Sequence, residues 1–230
     1  MKRILVIAAH PDDEILGCGG VMARHSKNGD AVYSAILAEG LTSRNSKRDV
    51  DLYSEDFKKL YKAAELANNI VGVKQLKLLG FPDNRMDSLE LLDIVKQVES
   101  LINEFKPNII YTHHIGDVNI DHQMIHRAVV TAVRPIPGNH LVDEVLFFET
   151  ASSTEWMTPG SSTPFTPNYY VSIEDTVQLK LQALEAYEYE MRDWPHARSI
   201  KALEYLAKWR GANIGVEAAE AFMLGRKIVK

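Results

Sequence analysis

Short apolar runs alternate with amphipathic segments over the first two thirds of this chain, and that alternation restricts the fold more than any other feature. Residues 4–9 are an uninterrupted apolar run, β-branched at its start, of the kind buried on both faces of a parallel sheet. Four more strands are expected over residues 31–38, 75–79, 109–112 and 144–148. Helices are expected over residues 15–25, 52–71, 89–105 and 121–133. The third of these is the clearest, with Leu92, Val95, Val98, Leu101 and Ile102 on one face. Such an order implies an α/β fold with a mostly parallel sheet and helices on both faces. Right-handed crossovers then gather the C-terminal ends of the strands along one edge, where ligands bind. His10, Glu39, the 80–83 segment and His113-His114 all fall at that edge.

Beyond residue 148 the pattern weakens. Residues 152–167 are rich in Ser, Thr, Pro and Gly and read as a long loop of the lid or binding type. A strand over 169–173, helices over 174–192 and 199–210, and a last strand over 222–229 complete the expectation. With 230 residues, 46% hydrophobic and 25% charged, the chain fits one domain over 1–230, with a core over 1–150 and a lid or helical part over 151–230. A net charge of -5 argues against a nucleic-acid surface. The single cysteine, Cys18, excludes an intramolecular disulfide and a cysteine-based zinc cluster, and is expected to pack as a small apolar group on a helix. The N-terminal apolar run is too short for a signal peptide, and no run approaches a transmembrane segment of ~18 apolar residues. A cytoplasmic protein is the expectation.

Two polar motifs stand at the active edge. The first, His10-Pro11-Asp12-Asp13-Glu14, places one imidazole and three carboxylates at a strand-to-helix junction. Packed carboxylates repel, and a divalent cation offsets the repulsion. His10 and Asp13 can reach one point across the turn. Asp12, between them, can stand beside a metal without binding it and take a proton from the water there. Acids at a helix N-terminus are also favoured by capping and by the macrodipole, which accounts for Asp12, Asp13 and Glu14 equally well. It does not account for the His-Pro that precedes them. Glu14 is assigned to the first turn or to a supporting contact.

The second motif is Asp117-Val118-Asn119-Ile120-Asp121-His122, leading into a helix just past the fourth strand. His122 is placed to complete a His-Asp-His zinc site with His10 and Asp13. Asp121 can orient an imidazole through its other ring nitrogen, and Asn119 can donate to an oxyanion. His126, four residues on, is a rival ligand more in keeping with packing. His113 and His114 stand near the pocket as substrate contacts or as satisfied buried histidines. His25, His140 and His196 belong to the surface or loops.

These residues resemble the PIG-L/LmbE-like family of zinc-dependent N-acetyl-sugar deacetylases. The resemblance rests on Ala9-His10-Pro11-Asp12-Asp13-Glu14 after the first strand and on the later Asp121-His122 pair, spread over the first half of the chain. It implies a Rossmann-like three-layer sandwich, with His10, Asp13 and His122 as metal ligands and Asp12 as general base. The implied cofactor is Zn2+, another divalent transition metal being compatible with the same donors. Several members carry a His three residues before the last ligand, where this chain has Asn119, which cannot titrate. Asp12 is therefore expected to return its proton to the leaving amine. Arg44 after Glu39-Gly40, Arg85 and Asp87 in the loop after strand three, and Glu149 at the end of strand five resemble substrate contacts. Loop salt bridges explain them equally well. His196 and Arg198 either cap a late helix or reach a pocket, their own or a neighbouring subunit's.

The implied reaction is removal of the N-acetyl group from an N-acetylated amino sugar or its glycoconjugate, with release of acetate. The partner is that small molecule, and the resemblance also allows a homo-oligomer. Hydrolysis of a different amide or an ester, distinguished by a substrate panel, and a non-catalytic zinc- or carbohydrate-binding module, excluded by chelator-sensitive activity, stand as alternatives. A nucleotide-binding protein would need Gly-x-Gly-x-x-Gly after the first strand, and Gly17, Gly19 and Gly20 fall inside the helix instead.

Overall fold

The computed structural model describes residues 1–229. Its strands β1 (Arg3–Ala8), β2 (Ala31–Ala38), β3 (Gln75–Phe81), β4 (Ile109–His113), β5 (Glu144–Phe148), β6 (Tyr169–Ser172) and β7 (Ala219–Lys227) form one sheet in the order β3-β2-β1-β4-β5-β7-β6. The first five are parallel, while β7 runs antiparallel to β5 and β6 antiparallel to β7. The helices are α1 (Asp13–Lys27), α2 (Ser54–Ile70), α3 (Leu91–Phe105), α4 (Ile120–Ala132), α5 (Val177–Glu185) and α6 (Ile200–Ala212). The segment after residue 150 thus adds two strands to the sheet as well as two helices.

The unbroken apolar run of β1 has a direct explanation. Ile4, Val6 and Ala8 pack into a core shared with α1, α2 and α5, whereas Leu5, Ile7 and Ala9 face a second core built on α3 and α4. The chain winds outward from β1 to β3, then returns to β4 on the other side of β1. Strand order reverses there, so the tips of β1 and β4 flank the crevice in which doubly wound sheets bind ligands. Thr112 Oγ1 ties the pair by donating to the Ile7 carbonyl at 3.0 Å.

Close packing holds α1 against the sheet. A Cβ at Gly17 would lie 2.3 Å from the Phe148 ring, so only glycine lets the helix approach β5 this closely. Gly40, at φ +88°, would place a Cβ 2.7 Å from Pro11, which fixes the loop after β2 against the first motif. Cys18 is buried in α1, with its thiol pushed well up by burial, as befits a packing residue.

One helix expectation is corrected. The 174–192 segment is helical only over Val177–Glu185. Leu181, Leu184 and Tyr187 keep a three-residue spacing and are all buried, so periodicity runs on into a turn. Tyr187 leaves the helix to donate to Glu14, and the chain turns back toward the sheet edge. Among the described residues no helix is long and apolar enough to cross a membrane.

Candidate metal centre and general base

Three atoms from the two motifs meet at the tips of β1 and β4. His10 Nδ1 lies 3.2 Å from Asp13 Oδ2, His122 Nε2 lies 3.1 Å from the same oxygen, and the two ring nitrogens are 3.3 Å apart. A tetrahedral ion bound at ~2.0–2.1 Å by three N or O donors would separate them by about 3.3–3.4 Å. The donor set, two imidazoles and a carboxylate, suits zinc or a similar divalent transition metal. Asp13 Oδ1 is buried without a hydrogen-bond partner, which a cation beside the carboxylate would relieve. The residues therefore fit a metal.

Electrostatics agree with the geometry. Burial would lower the pKa of His10, but contacts to Asp121, Asp13 and Asp83 carry it well above the ordinary value. For His122 burial is again outweighed, here by Asp13 and Asp117, and its pKa rises to about 9. Burial opposes the ionised Asp13, yet His122 and His10 hold it well below the usual carboxylate range. In the absence of a cation, imidazole protons balance the carboxylates.

The outer nitrogens are also held. His10 Nε2 lies 3.0 Å from Asp121 Oδ2 and 3.3 Å from Asp83 Oδ1. Asp121 accepts from the backbone amides of Asn84 at 2.6 Å and Met86 at 2.9 Å, so its own position is anchored. His10, Asp83 and Asp121 could themselves group around an ion. The amide bonds to Asp121, with those from Ser43 N and Asn84 Nδ2 to Asp83, identify these acids instead as acceptors that orient the imidazole. For His122 the corresponding acid is Asp117, 3.1 Å from Nδ1 but off the line of a hydrogen bond. Ser153 Oγ and Thr154 Oγ1 both donate to Asp117, and its pKa falls to about 2: burial opposes the fall, but His122, Ser153 and the Asn119 amide outweigh it.

Asp12 does not join the triangle. Its backbone sits at φ 119°, ψ −31°, a sparsely populated region for a residue with a Cβ, at a strain of about 1–3 kcal/mol. Its Oδ2 accepts from Arg198 Nη1 at 2.7 Å, and its Oδ1 is buried without a partner. Burial raises the carboxyl well above its ordinary value, although Arg198 pulls the other way. Arg198 also donates from Nε to Ser152 Oγ at 2.7 Å, and the adjacent Ser199 caps α6 by accepting from Ala202 N. The His196–Ser199 segment thus both caps a helix and reaches the pocket of its own chain.

Other sequence candidates are dispersed around this centre. Asn119 caps α4, accepting from Asp121 N at 2.9 Å, and donates from Nδ2 to Asn84 Oδ1 at 2.9 Å. Arg44 pairs with Glu190 at 2.7 Å beside a cavity of about 140 Å³ lined by Leu41, Leu60, Tyr187 and Tyr189. Arg85 donates to the carbonyls of Asn45 and Ser46, and Asp87 is exposed in the turn over Met86–Ser88. Glu149 forms a two-point ion pair with Arg210 on the wall of a cavity of about 600 Å³ that also includes Gly116, Thr154 and Phe165. His113 is buried, accepts from Ala9 N at 2.9 Å and stacks on His122 with ring centroids 3.8 Å apart. Burial and the charge of His122 hold it neutral, its pKa well below 6.5. His114 bonds the Thr163 carbonyl, and His126 bonds the His113 carbonyl while packing on Phe147.

Sequence reasoning did not find Asp83, Asp117, Ser153 or Thr154 as supporting groups, nor Tyr187 and Glu190. Asp117 stands inside the second motif, and an acid five residues before the candidate ligand His122 is the available signal. For the remainder no local pattern exists.

Comparison with known proteins places the chain in a family. The model of the family described as PIG-L, GlcNAc-PI de-N-acetylase, matches residues 5–133, more than half of the chain. A protein named as the uncharacterized deacetylase YaiS of Escherichia coli K12 is 31% identical over 195 residues, covering 81% of this chain and 91% of that one. The diacetylchitobiose deacetylase of Thermococcus kodakarensis is 24% identical over 216 residues, covering 89% and 78%. Among solved structures, the conserved protein TT1542 of Thermus thermophilus superposes with a TM-score of 0.76 at 24% identity, covering 100% of this chain and 97% of that one.

Proposed function

Because the chain belongs to the PIG-L family of de-N-acetylases, we propose that it hydrolyses the acetamide of an N-acetylated amino sugar or its glycoconjugate, with zinc held by His10, Asp13 and His122. The observation that carries this reading is the triangle of His10 Nδ1, Asp13 Oδ2 and His122 Nε2 at 3.1–3.3 Å, with the buried carboxylate of Asp12, adjacent to Asp13 in the chain, left with one oxygen free. A divalent ion there supplies polarisation of the acetyl carbonyl and acidification of a water.

The chain's own groups do the rest. Asp12 Oδ1 takes the proton of the attacking water, because Arg198 occupies Oδ2 and leaves only one oxygen free. A carboxyl with a raised pKa holds that proton long enough to return it to the departing nitrogen. His113 Nε2 accepts from Ala9 N, so the neutral ring keeps its one proton on Nδ1, beside Thr150 Oγ1, and has none to offer from Nε2. An amide nitrogen carries two N–H groups, and Asn119 commits one to Asn84, so the second is free to donate to an oxyanion. The carrier of the sugar extends toward the walls bearing Arg44 and Glu149, whose pairing with Glu190 and Arg210 leaves these walls nearly neutral. Arg85 shapes the loop that bears Arg44, and Asp87 offers an exposed acceptor to sugar hydroxyls.

The test is acetate release from a panel including N-acetylglucosamine, its disaccharides and simple N-acetyl and O-acetyl compounds. Activity is expected on amino sugars, lost on chelation and restored by zinc. Activity confined to esters, or unaffected by metal removal, would overturn the reading.

A further inference from the structure

The conformation of Asp12 needs an explanation that its role as a base does not provide. At φ 119° it lies in a region that residues with a Cβ rarely adopt. Its buried N–H donates to Glu14 Oε2 at 3.1 Å. The other oxygen of Glu14 accepts from Asn68 Nδ2 at 2.9 Å and from the Tyr187 hydroxyl. Asn68 is fixed in turn by a bond to the Ala64 carbonyl within α2, and Tyr187 by backbone bonds at the end of α5. Glu14, Asn68 and Tyr187 are each at most 2% exposed. None of the three belongs to the metal-facing triangle.

We propose that Glu14, held by Asn68 and Tyr187, is a positioning residue that keeps the Asp12 backbone in its strained conformation and so aims the free carboxylate oxygen at the reacting water. The proposal rests on the reading of Asp12 as general base. An acid that merely decorated a helix N-terminus would not need two further elements of the fold to hold its far oxygen. Without an acceptor for its N–H, Asp12 would relax to an ordinary φ, and its carboxylate would leave the place that Arg198 Nη1 and the free Oδ1 define. Glu14 fixes the main chain of the base and Arg198 its side chain. Tyr187 lies outside residues 5–133, so the C-terminal segment completes a device begun in the first motif.

The experiment compares Glu14→Ala, Glu14→Gln and Tyr187→Phe, each reconstituted with zinc, by kcat, KM, metal content and Tm. Misplacement of a catalytic group by about 1 Å is worth about 100-fold in rate. Glu14→Ala is expected to lower kcat by about 10- to 100-fold with KM and metal content unchanged. Glu14→Gln keeps an acceptor for the Asp12 N–H and should recover most of that loss. Tyr187→Phe removes one hydroxyl only and should lower kcat about 3- to 10-fold, a range set by the same positional sensitivity, which keeps the proposal testable if Glu14→Ala does not fold. In an Asp12→Ala background, Tyr187→Phe should cause no further loss, because it acts through Asp12. A lowered Tm with unchanged kcat, or an additive loss in the double variant, would overturn the proposal. Normal turnover by Asp12→Ala alone would instead overturn the general-base reading beneath it.

Discussion

Metal binding by the stripped protein should release protons, with a pH dependence set by the carboxylates around His10 and His122. Asp13 and Asp117 raise His122 to about 9 against its burial, and His10 is displaced in the same direction by Asp121, Asp13 and Asp83. Both rings therefore carry protons at neutral pH when no cation is present, and a metal can bind only their neutral form. The sign follows directly: raising the pH removes the competing proton and strengthens binding. At pH 7, two units below its pKa, His122 alone weakens the apparent affinity by about 100-fold, or about 2.7 kcal/mol. The affinity for Zn2+, measured by competition with a chelator of known pH dependence from pH 6.5 to 9.5, should rise by one to two orders of magnitude per pH unit and flatten above about pH 9. Calorimetry in two buffers of different ionisation enthalpy should register between one and two protons released at pH 7. Asp117→Asn, which removes one of the carboxylates supporting the charged ring, should move the flattening to lower pH. A pH-independent affinity with no proton release would show that the rings are already neutral and would refute the electrostatic account of the cluster.

Three further outcomes are expected. Asp12→Ala should retain its metal, since Asp12 is not among the three facing atoms, yet lose at least ~100-fold in rate by acetate assay. Gly17→Ala places a Cβ 2.3 Å from the Phe148 ring and should destabilise by about 1–3 kcal/mol in urea unfolding. Burial lowers the pKa of His25 despite its contact with Asp30, so the unfolded chain binds more protons than the folded one below pH 6.5. The contribution of His25 to stability should therefore rise with pH up to about 6.5, and His25→Gln should remove that part of the slope in unfolding curves taken from pH 5 to 7.5.

The fold was legible because burial imposes a period on each element. The apolar run of β1 feeds both cores, and α3 presents one stripe to the sheet, so each left its signature in the residue order. The convergence of the three candidate ligands was legible because it is local: His10 and Asp13 share one turn, and His122 lies in the first turn of the helix after β4. Periodicity extends the helix over 174–192 too far for the same reason that it marks α3 correctly, since Tyr187 continues the spacing of Leu181 and Leu184 while serving a hydrogen bond instead of a helix face. Arg44 and Glu149 resemble substrate contacts in sequence, with salt bridges as the equal alternative, and the structure gives each an opposite charge from the C-terminal segment, Glu190 and Arg210. Neither partner could be inferred, because a salt bridge between distant segments leaves no periodicity.

The same difference in origin separates the two halves of the site. Every metal-facing atom comes from residues 10–122, and the supporting acids Asp83, Asp117 and Asp121 lie in that span as well. The base belongs to the first motif by sequence, but Arg198, 186 residues later, holds its carboxylate, and Tyr187, 173 residues beyond Glu14, holds the acid that accepts its N–H. On the proposed reading, packing of the 187–198 segment is thus a condition for a correctly aimed base and not for a metal site. Damage to that packing, by substitution in the turn after α5 or before α6, should leave a protein that still gathers its ion and turns over more slowly. A spacing pattern can announce where a metal sits, since repelling groups must be adjacent to share one charge. The aim of a single carboxylate depends on contacts that only the folded sheet brings together.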